Sequence, residues 1–416
     1  MTNSSSEYDD AASIHGAQCA IGAQEKDYAV IQVACGQITH VIRRKDEFPP
    51  YLTADSKIDL SGFLLLPGLV NAHDHLQFAL HPRLGAPPHQ SYVDWGEEIH
   101  ARFADVIATH KSVPRDVRLW WGGIRNLLCG VTTVCHHDKL WPELQRKDFP
   151  VKVVQQFVWG HSLALGGDLH AVRSSMPEGT VFILHAGEGV DERARNEVFH
   201  LEELGLLDAS TVLVHGLAMD GAAVDLLEER GTSLIVCPSS NKFLFGELPN
   251  MSLFSPIKNV ALGSDSPLTA TGDLLDEIRF ALKFCGIAPT KAYRMVTEDA
   301  ANILKLKAGE GTIRVSGPAD LIAIRDNGQD PADRLQTLSM ADIEFVMVAG
   351  RVQLASEQVM ERLPFQINEG LEPLVIDGIL RWLRAPVGEL LRQAEEVIGT
   401  GNVRFGGRRI GAPVSQ

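Results

Sequence analysis

Apolar and polar positions alternate in different ways along the chain. From about Ile14 to Leu66, short runs at Ala29 to Ala34, Ile38 to Ile42 and Ile58 to Leu60 are separated by Gly, Pro and charged residues, which predicts small antiparallel strands. Runs of the same kind return between Gly311 and Ser356, at Ala319 to Ile324 and Phe345 to Val352. The two regions are expected to form one composite β domain. Between them, apolar strands alternate with helical stretches, as a parallel α/β fold requires. Strand ends are predicted at His75, Val131 to His137, Val151 to Gly160, Val181 to Gly187, Thr211 to Gly216, Ser233 to Ser239 and Val260 to Ser264. Helices are predicted at Arg115 to Leu128, Asp191 to Leu204 and Gly221 to Arg230, each followed by a Gly that can stop it.

These elements make seven strands of a TIM-like (β/α)8 barrel, whose full set is eight. The missing strand is expected in Trp159 to Gly179, where it is either cryptic or absent. Leu371 to Ile398 reads as one or two amphipathic helices packed outside. The expected organisation is a disordered polar tail (1–12), a composite β-sandwich domain (13–66 with 311–360), an α/β barrel (67–310) and a C-terminal helical extension (361–416).

Composition changes this picture little. The chain has 416 residues, long enough for a barrel-sized domain plus a smaller one, and 45% hydrophobic with 22% charged residues is ordinary for a globular protein. No apolar run approaches the roughly 18 to 20 residues of a membrane span, and Met1 to Asp10 is polar and acidic, so a cytoplasmic location is expected. The net charge of −15 argues against nucleic-acid or anionic-membrane partners. Six cysteines without Cys-x-x-Cys spacing indicate buried thiols rather than a thiolate metal site or a disulfide framework.

The chemistry concentrates at predicted strand ends. An apolar run from Phe63 breaks at Pro67-Gly68, resumes at Leu69-Val70 and delivers His73 and His75, which strand alternation places on one face. Phe182-Ile183-Leu184 ends in His185, with Glu188 three residues on: a ligand followed by a base. Val212-Leu213-Val214 ends in His215, and Val260-Ala261-Leu262-Gly263-Ser264 ends in Asp265. Any one of these could be a satisfied core or capping residue. Together they fall at strand C-termini, which a barrel collects on a single face. The same alternation would keep Gln77 beside the histidine pair, as an amide contact to a heterocycle. His137 or its neighbour His136 faces inward at the second strand end, and His161 ends the third. Trp95, Trp159, Phe243 and Phe245 are either packing residues or platforms for a flat ring. Asp74 points away, toward the surrounding helices.

Pro67-Gly68-Leu69-Val70-Asn71-Ala72-His73-Asp74-His75, His185-Ala186-Gly187-Glu188, Val214-His215-Gly216, Cys237-Pro238-Ser239-Ser240-Asn241 and Gly263-Ser264-Asp265 resemble the amidohydrolase superfamily. The likeness is to its branch of cytosine, guanine and adenosine-type deaminases and triazine hydrolases, and it spans roughly residues 55 to 355. Gly317-Pro318-Ala319-Asp320-Leu321 and Val348-Ala349-Gly350-Arg351-Val352 resemble the family's closing β segment.

Carried over by position, the resemblance implies His73, His75, His185 and Asp265 as ligands of one divalent metal. Zn²⁺ suits them and Fe²⁺ is compatible with the donor types. It implies Glu188 as proton shuttle and His215 as the residue orienting water and the developing oxyanion, with a second-metal ligand as the rival role for His215. No predicted strand ends in the bridging Lys of binuclear members, which favours one metal. Asn241 either lines the pocket or shapes its loop. The implied activity is hydrolytic deamination of a small aminated heterocycle (purine, pyrimidine, pterin or triazine-like). The alternatives are hydrolysis of a cyclic amide, imide, lactone or acyl amide at the same site, and a metal-free binding or scaffold protein. The expected partner is a small molecule, and a homodimer is compatible.

Overall fold

The computed structural model describes residues 11–44, 46 and 56–413. Its centre is a TIM-like barrel of eight parallel strands: Leu69–Asp74, Val131–His136, Lys152–Val153, Phe157–Trp159, Val181–Ala186, Thr211–His215, Ser233–Val236 and Val260–Leu262. Successive strands pair in parallel, except between the third and fourth, where the ladder is interrupted. Past the eighth strand the chain returns to the first, where the Asp265 N–H donates to the His73 carbonyl at 3.1 Å. Gly263 permits that approach, because a Cβ there would lie 2.6 Å from the His73 Cβ.

The eighth strand does not come from residues 159–179, which hold the helix Leu169–Ser174. The single strand expected at 151–160 is instead two short ones, divided by the exposed pair Gln155 and Gln156. The Gln155 amide donates to the carbonyls of Leu144 and Val153, which diverts the backbone out of the ladder.

The first barrel strand continues from Phe63–Pro67, which runs parallel to Gln18–Ala20 and antiparallel to Leu321–Arg325. Both ends of the chain therefore contribute to the sheet that leads into it. Alternation sorts this feeder strand: Phe63 and Leu65 pack with Ile14, Ile31 and Phe345, whereas Leu64 and Leu66 join the core beneath the barrel helices.

Two expectations at the chain ends need correction. The tail expected at 1–12 lies outside the described residues as far as residue 10, but Ala12 already opens the strand Ala12–His15. The C-terminal extension is not simply helical. It contains the strands Glu372–Ile376, Ile379–Leu383, Arg404–Phe405 and Arg408–Gly411, with one long amphipathic helix, Val387–Ile398. Asp377-Gly378 forms the hairpin turn, with φ of 48° and 84°, as Asp-Gly does between apolar runs. Among the described residues, no helix is long and apolar enough to cross a membrane.

The first strand is pinned from outside by a buried ion pair. The Asp74 carboxylate meets the Arg125 guanidinium at 2.8 Å and accepts from the Asn126 amide at 2.6 Å, both residues being on the helix Arg115–Leu128. Arg125 also donates to the carbonyls of Gly272 (2.7 Å) and Asp265 (2.9 Å), so one side chain ties the first strand end to the eighth. Asp74→Ala leaves a buried cation without its counter-charge and should destabilise the protein by about 3–5 kcal/mol, measured by urea unfolding. Deleting residues 1–60 exposes the edge of Phe63–Pro67 and should yield insoluble protein. A soluble truncation with undiminished turnover would show that the N-terminal strands are dispensable.

Candidate active site

The strand ends bring a buried histidine cluster to one face of the barrel. His73 and His75 project from the end of the first strand, His137 follows the second, and His185 and His215 stand on the fifth and sixth. The Nε2 atoms of His73 and His185 are 3.2 Å apart, and ligand atoms of His73, His75 and His185 all lie within 4.8 Å of one another. Two nitrogens about 2.05 Å from one ion at a roughly tetrahedral angle stand about 3.3 Å apart, so the spacing fits a shared cation. Asp265 faces the same space, with Oδ1 3.7 Å from His75 Nε2 and 4.0 Å from His73 Nε2.

Electrostatics favour the same use. Burial, reinforced by the neighbouring imidazoles, holds His73, His137 and His185 well below the ordinary histidine pKa, so their lone pairs are free at neutral pH. The His185 Nδ1 is buried without a hydrogen-bond partner. Burial acts to raise Asp265, but His215, His75 and local hydrogen bonds outweigh it and keep its carboxyl below the usual value. Ser266 N–H and the Thr269 hydroxyl donate to it at 2.7 and 3.0 Å. The imidazoles of His73, His75 and His185 with one carboxylate form a donor set suited to a divalent ion.

Glu188 lies beside this set without joining the histidine triad. Burial pushes its carboxyl well above the ordinary range, and the charges of Asp265 and Glu197 add to the effect. Its Oε1 is 3.5 Å from His215 Nε2. The other His215 nitrogen, Nδ1, is 3.0 Å from the Asn241 Oδ1, a contact in which Nδ1 carries the proton and leaves the Nε2 lone pair directed at the site. His215 and Asp265 have φ of 82° and 50°, a conformation that costs a non-glycine residue about 1–3 kcal/mol.

A cavity of about 240 Å³ opens onto the cluster, and His75, His161, His185, Glu188, His215 and Asp265 border it. Of the expected substrate contacts, only His161 lines it. Gln77 does not, because the strand ends at Asp74 and Leu76–Phe78 turns into a short 3-10 helix that sends the Gln77 amide to Asp138 at 2.9 Å. His137 is packed behind the site, stacked on His185 at 4.4 Å between ring centroids. Asn241 is fully buried and positions His215 rather than bordering the cavity. Of the four aromatic candidates, Trp95 alone lines it.

Sequence reasoning passed over two supporting carboxylates. Glu197 accepts from the Gly187 N–H at 2.7 Å and the Tyr92 hydroxyl at 3.4 Å, which fixes the backbone leading to Glu188. Burial raises its pKa to about 7. Glu277 accepts from the Ser239 N–H at 2.8 Å and holds the start of the segment that carries Asn241. Each sits within the buried stripe of its helix (Ala194, Glu197, Val198, Leu201; Leu274, Glu277, Ile278, Ala281), and a carboxylate in an apolar stripe was the available signal. Thr269 lies in an irregular loop and left no such trace.

Residues 167–353 match the model of the amidohydrolase family. A 5-methylthioadenosine/S-adenosylhomocysteine deaminase of Haloarcula marismortui is 25% identical over 66% of this chain and 76% of its own length. A 5'-deoxyadenosine deaminase of Methanoregula boonei is 27% identical over 65% and 73%. In fold, the chain resembles a variant of the atrazine chlorohydrolase of Arthrobacter aurescens TC1 complexed with zinc and atraton, with a TM-score of 0.71 at 16% identity over 93% of this chain and all of the other. Over residues 167–353 the chain is similar to the amidohydrolase family, and it shares sequence with these deaminases and its fold with the chlorohydrolase.

Proposed function

We propose that the protein hydrolytically deaminates a small aminated heterocycle at a single divalent metal, with zinc as the ion its donors suit best. The observation that carries this reading is the convergence of three imidazoles and Asp265 beside a buried Glu188 whose carboxyl is held above the ordinary range. The two adenosine-derivative deaminases among the relatives support an aminated ring as substrate.

His73, His75, His185 and Asp265 would hold the metal, and such an ion supplies a nucleophile at neutral pH by lowering the pKa of water from 15.7 to about 7. The rest of the chemistry belongs to the protein. Water adds to the ring carbon bearing the amino group, and Glu188 carries a proton from that water to the adjacent ring nitrogen. As the tetrahedral carbon collapses, the amino group leaves as ammonia after receiving a proton through the same carboxyl group. His215, held by Asn241 and facing Glu188, orients the attacking water and the developing oxyanion. Burial of the cluster keeps bulk water from competing for these contacts.

Glu188→Gln retains size and polarity but cannot exchange a proton. Turnover on an aminated heterocycle, followed by ammonia release, should fall by about 10² to 10⁴-fold while metal content stays near one ion per chain. His185→Ala should lose metal and activity together. Metal-free Glu188→Gln protein would make Glu188 a ligand, and two tightly held ions per wild-type chain, by elemental analysis after dialysis, would move His215 into the metal site.

A further inference from the structure

Beyond the ligands, the cavity wall changes character. The chain inserts two helices, Tyr92–Arg102 and Ala104–Ser112, between the first barrel strand and the first long barrel helix. They form a hydrophobic cluster of their own, separate from the main cores: Ile99 and Ile107 pack with Leu84 and Leu268, and Phe78 and Trp95 lie against them. Phe78, Trp95, Ile99, Ile107 and Leu268 also line the cavity, and Leu165 joins them with 59% of its surface exposed.

Polar groups are few on this wall and most are engaged, although His81 Nδ1 is buried without a partner. The Trp95 indole N–H donates to the Leu84 carbonyl at 2.9 Å, and His100 Nδ1 donates to the Gly96 carbonyl at 2.8 Å. His81 is buried, and burial together with His110, Arg118 and Lys111 drives its pKa to about 3, so it remains neutral. Lys111 lines the cavity but is itself exposed. Sugar hydroxyls placed against this wall would exchange water for carbon and lose hydrogen bonds, whereas an alkyl or aryl group would bury apolar area.

We propose that this wall is a subsite for an uncharged apolar substituent, so that the preferred substrates are alkyl- or aryl-substituted aminoheterocycles rather than free bases or nucleosides. The proposal deepens the deaminase reading and rests on it for the chemistry, but the binding preference can be measured separately. Zinc-loaded protein would be titrated calorimetrically with 6-aminopurines carrying hydrogen, methyl, n-butyl or ribose at N9. Amino-1,3,5-triazines carrying the same groups on a second exocyclic nitrogen would form a parallel series, with ammonia release followed for every compound.

Each buried methylene strengthens binding roughly fourfold, so n-butyl should bind at least about tenfold more tightly than methyl, and ribose more weakly than n-butyl, in at least one series. Ile107→Asn, or Leu268→Asn as a second variant, should bring the ratio of butyl to methyl affinity down to about one. Butyl compounds that bind no more tightly than methyl and ribosyl ones in both series, including no binding at all, would overturn the subsite. Butyl preference without ammonia from any compound would overturn deamination and leave the subsite standing. Ammonia release without butyl preference would do the reverse.

Discussion

The buried pair of Asp74 and Arg125 decides where the first barrel strand stops. Asp74 lies between two residues of the histidine cluster, and its 2.8 Å contact with Arg125 fixes the strand's rotation, so that His73 and His75 turn inward as Asp74 turns out. Arg125 reaches onward to the Asp265 and Gly272 carbonyls, so the same charge also sets the end of the eighth strand. Such a pair contributes little net stability over an apolar replacement, because desolvation offsets the attraction. Its effect is to make two sequence-distant strand ends one mechanical unit.

The inner face gathers groups that repel one another when charged. His73, His137, His185 and His215 crowd within 4.4 to 6.1 Å between ring centroids, an arrangement tolerable only while the imidazoles stay neutral. Burial enforces that state. The left-handed backbone at His215 and Asp265 adds local strain, which the strand pairing, the hydrogen bond from His215 to Asn241 and those from Ser266 and Thr269 to Asp265 hold in place. A site of this kind is less stable than an all-apolar barrel end and correspondingly better prepared to bind a cation.

Support for the site extends outward in layers. Glu197 holds the Gly187 amide ahead of Glu188, and Glu277 holds the Ser239 amide ahead of Asn241. Each is a carboxylate inside the apolar stripe of a barrel helix, so the helices that cover the strands also fix the loops beyond them. The helix pair Tyr92–Arg102 and Ala104–Ser112 joins this frame through the Tyr92 N–H, which donates to the Glu188 carbonyl at 3.3 Å.

Strand alternation by itself determined that His73 and His75 share a face, and the repeated apolar-run-then-polar-tip pattern determined that His185, His215 and Asp265 stand at strand ends. Both are local rules, since side-chain direction in a strand depends only on parity. Parity stops where the strand stops, and nothing local to Gln77 revealed that the chain would turn into a 3-10 helix and hand its amide to Asp138. Likewise the Asp-Gly turn at 377–378 was written in the sequence, but the flanking runs read as helix until the strand Arg351–Ala355 offered them a partner. Only the tertiary structure decided that Asn241 faces His215, that Glu197 and Glu277 brace the loops, and that an inserted helix pair walls the cavity with carbon. Each of these depends on which distant surfaces meet, and a contact between residues far apart in the chain leaves no periodic trace in either segment.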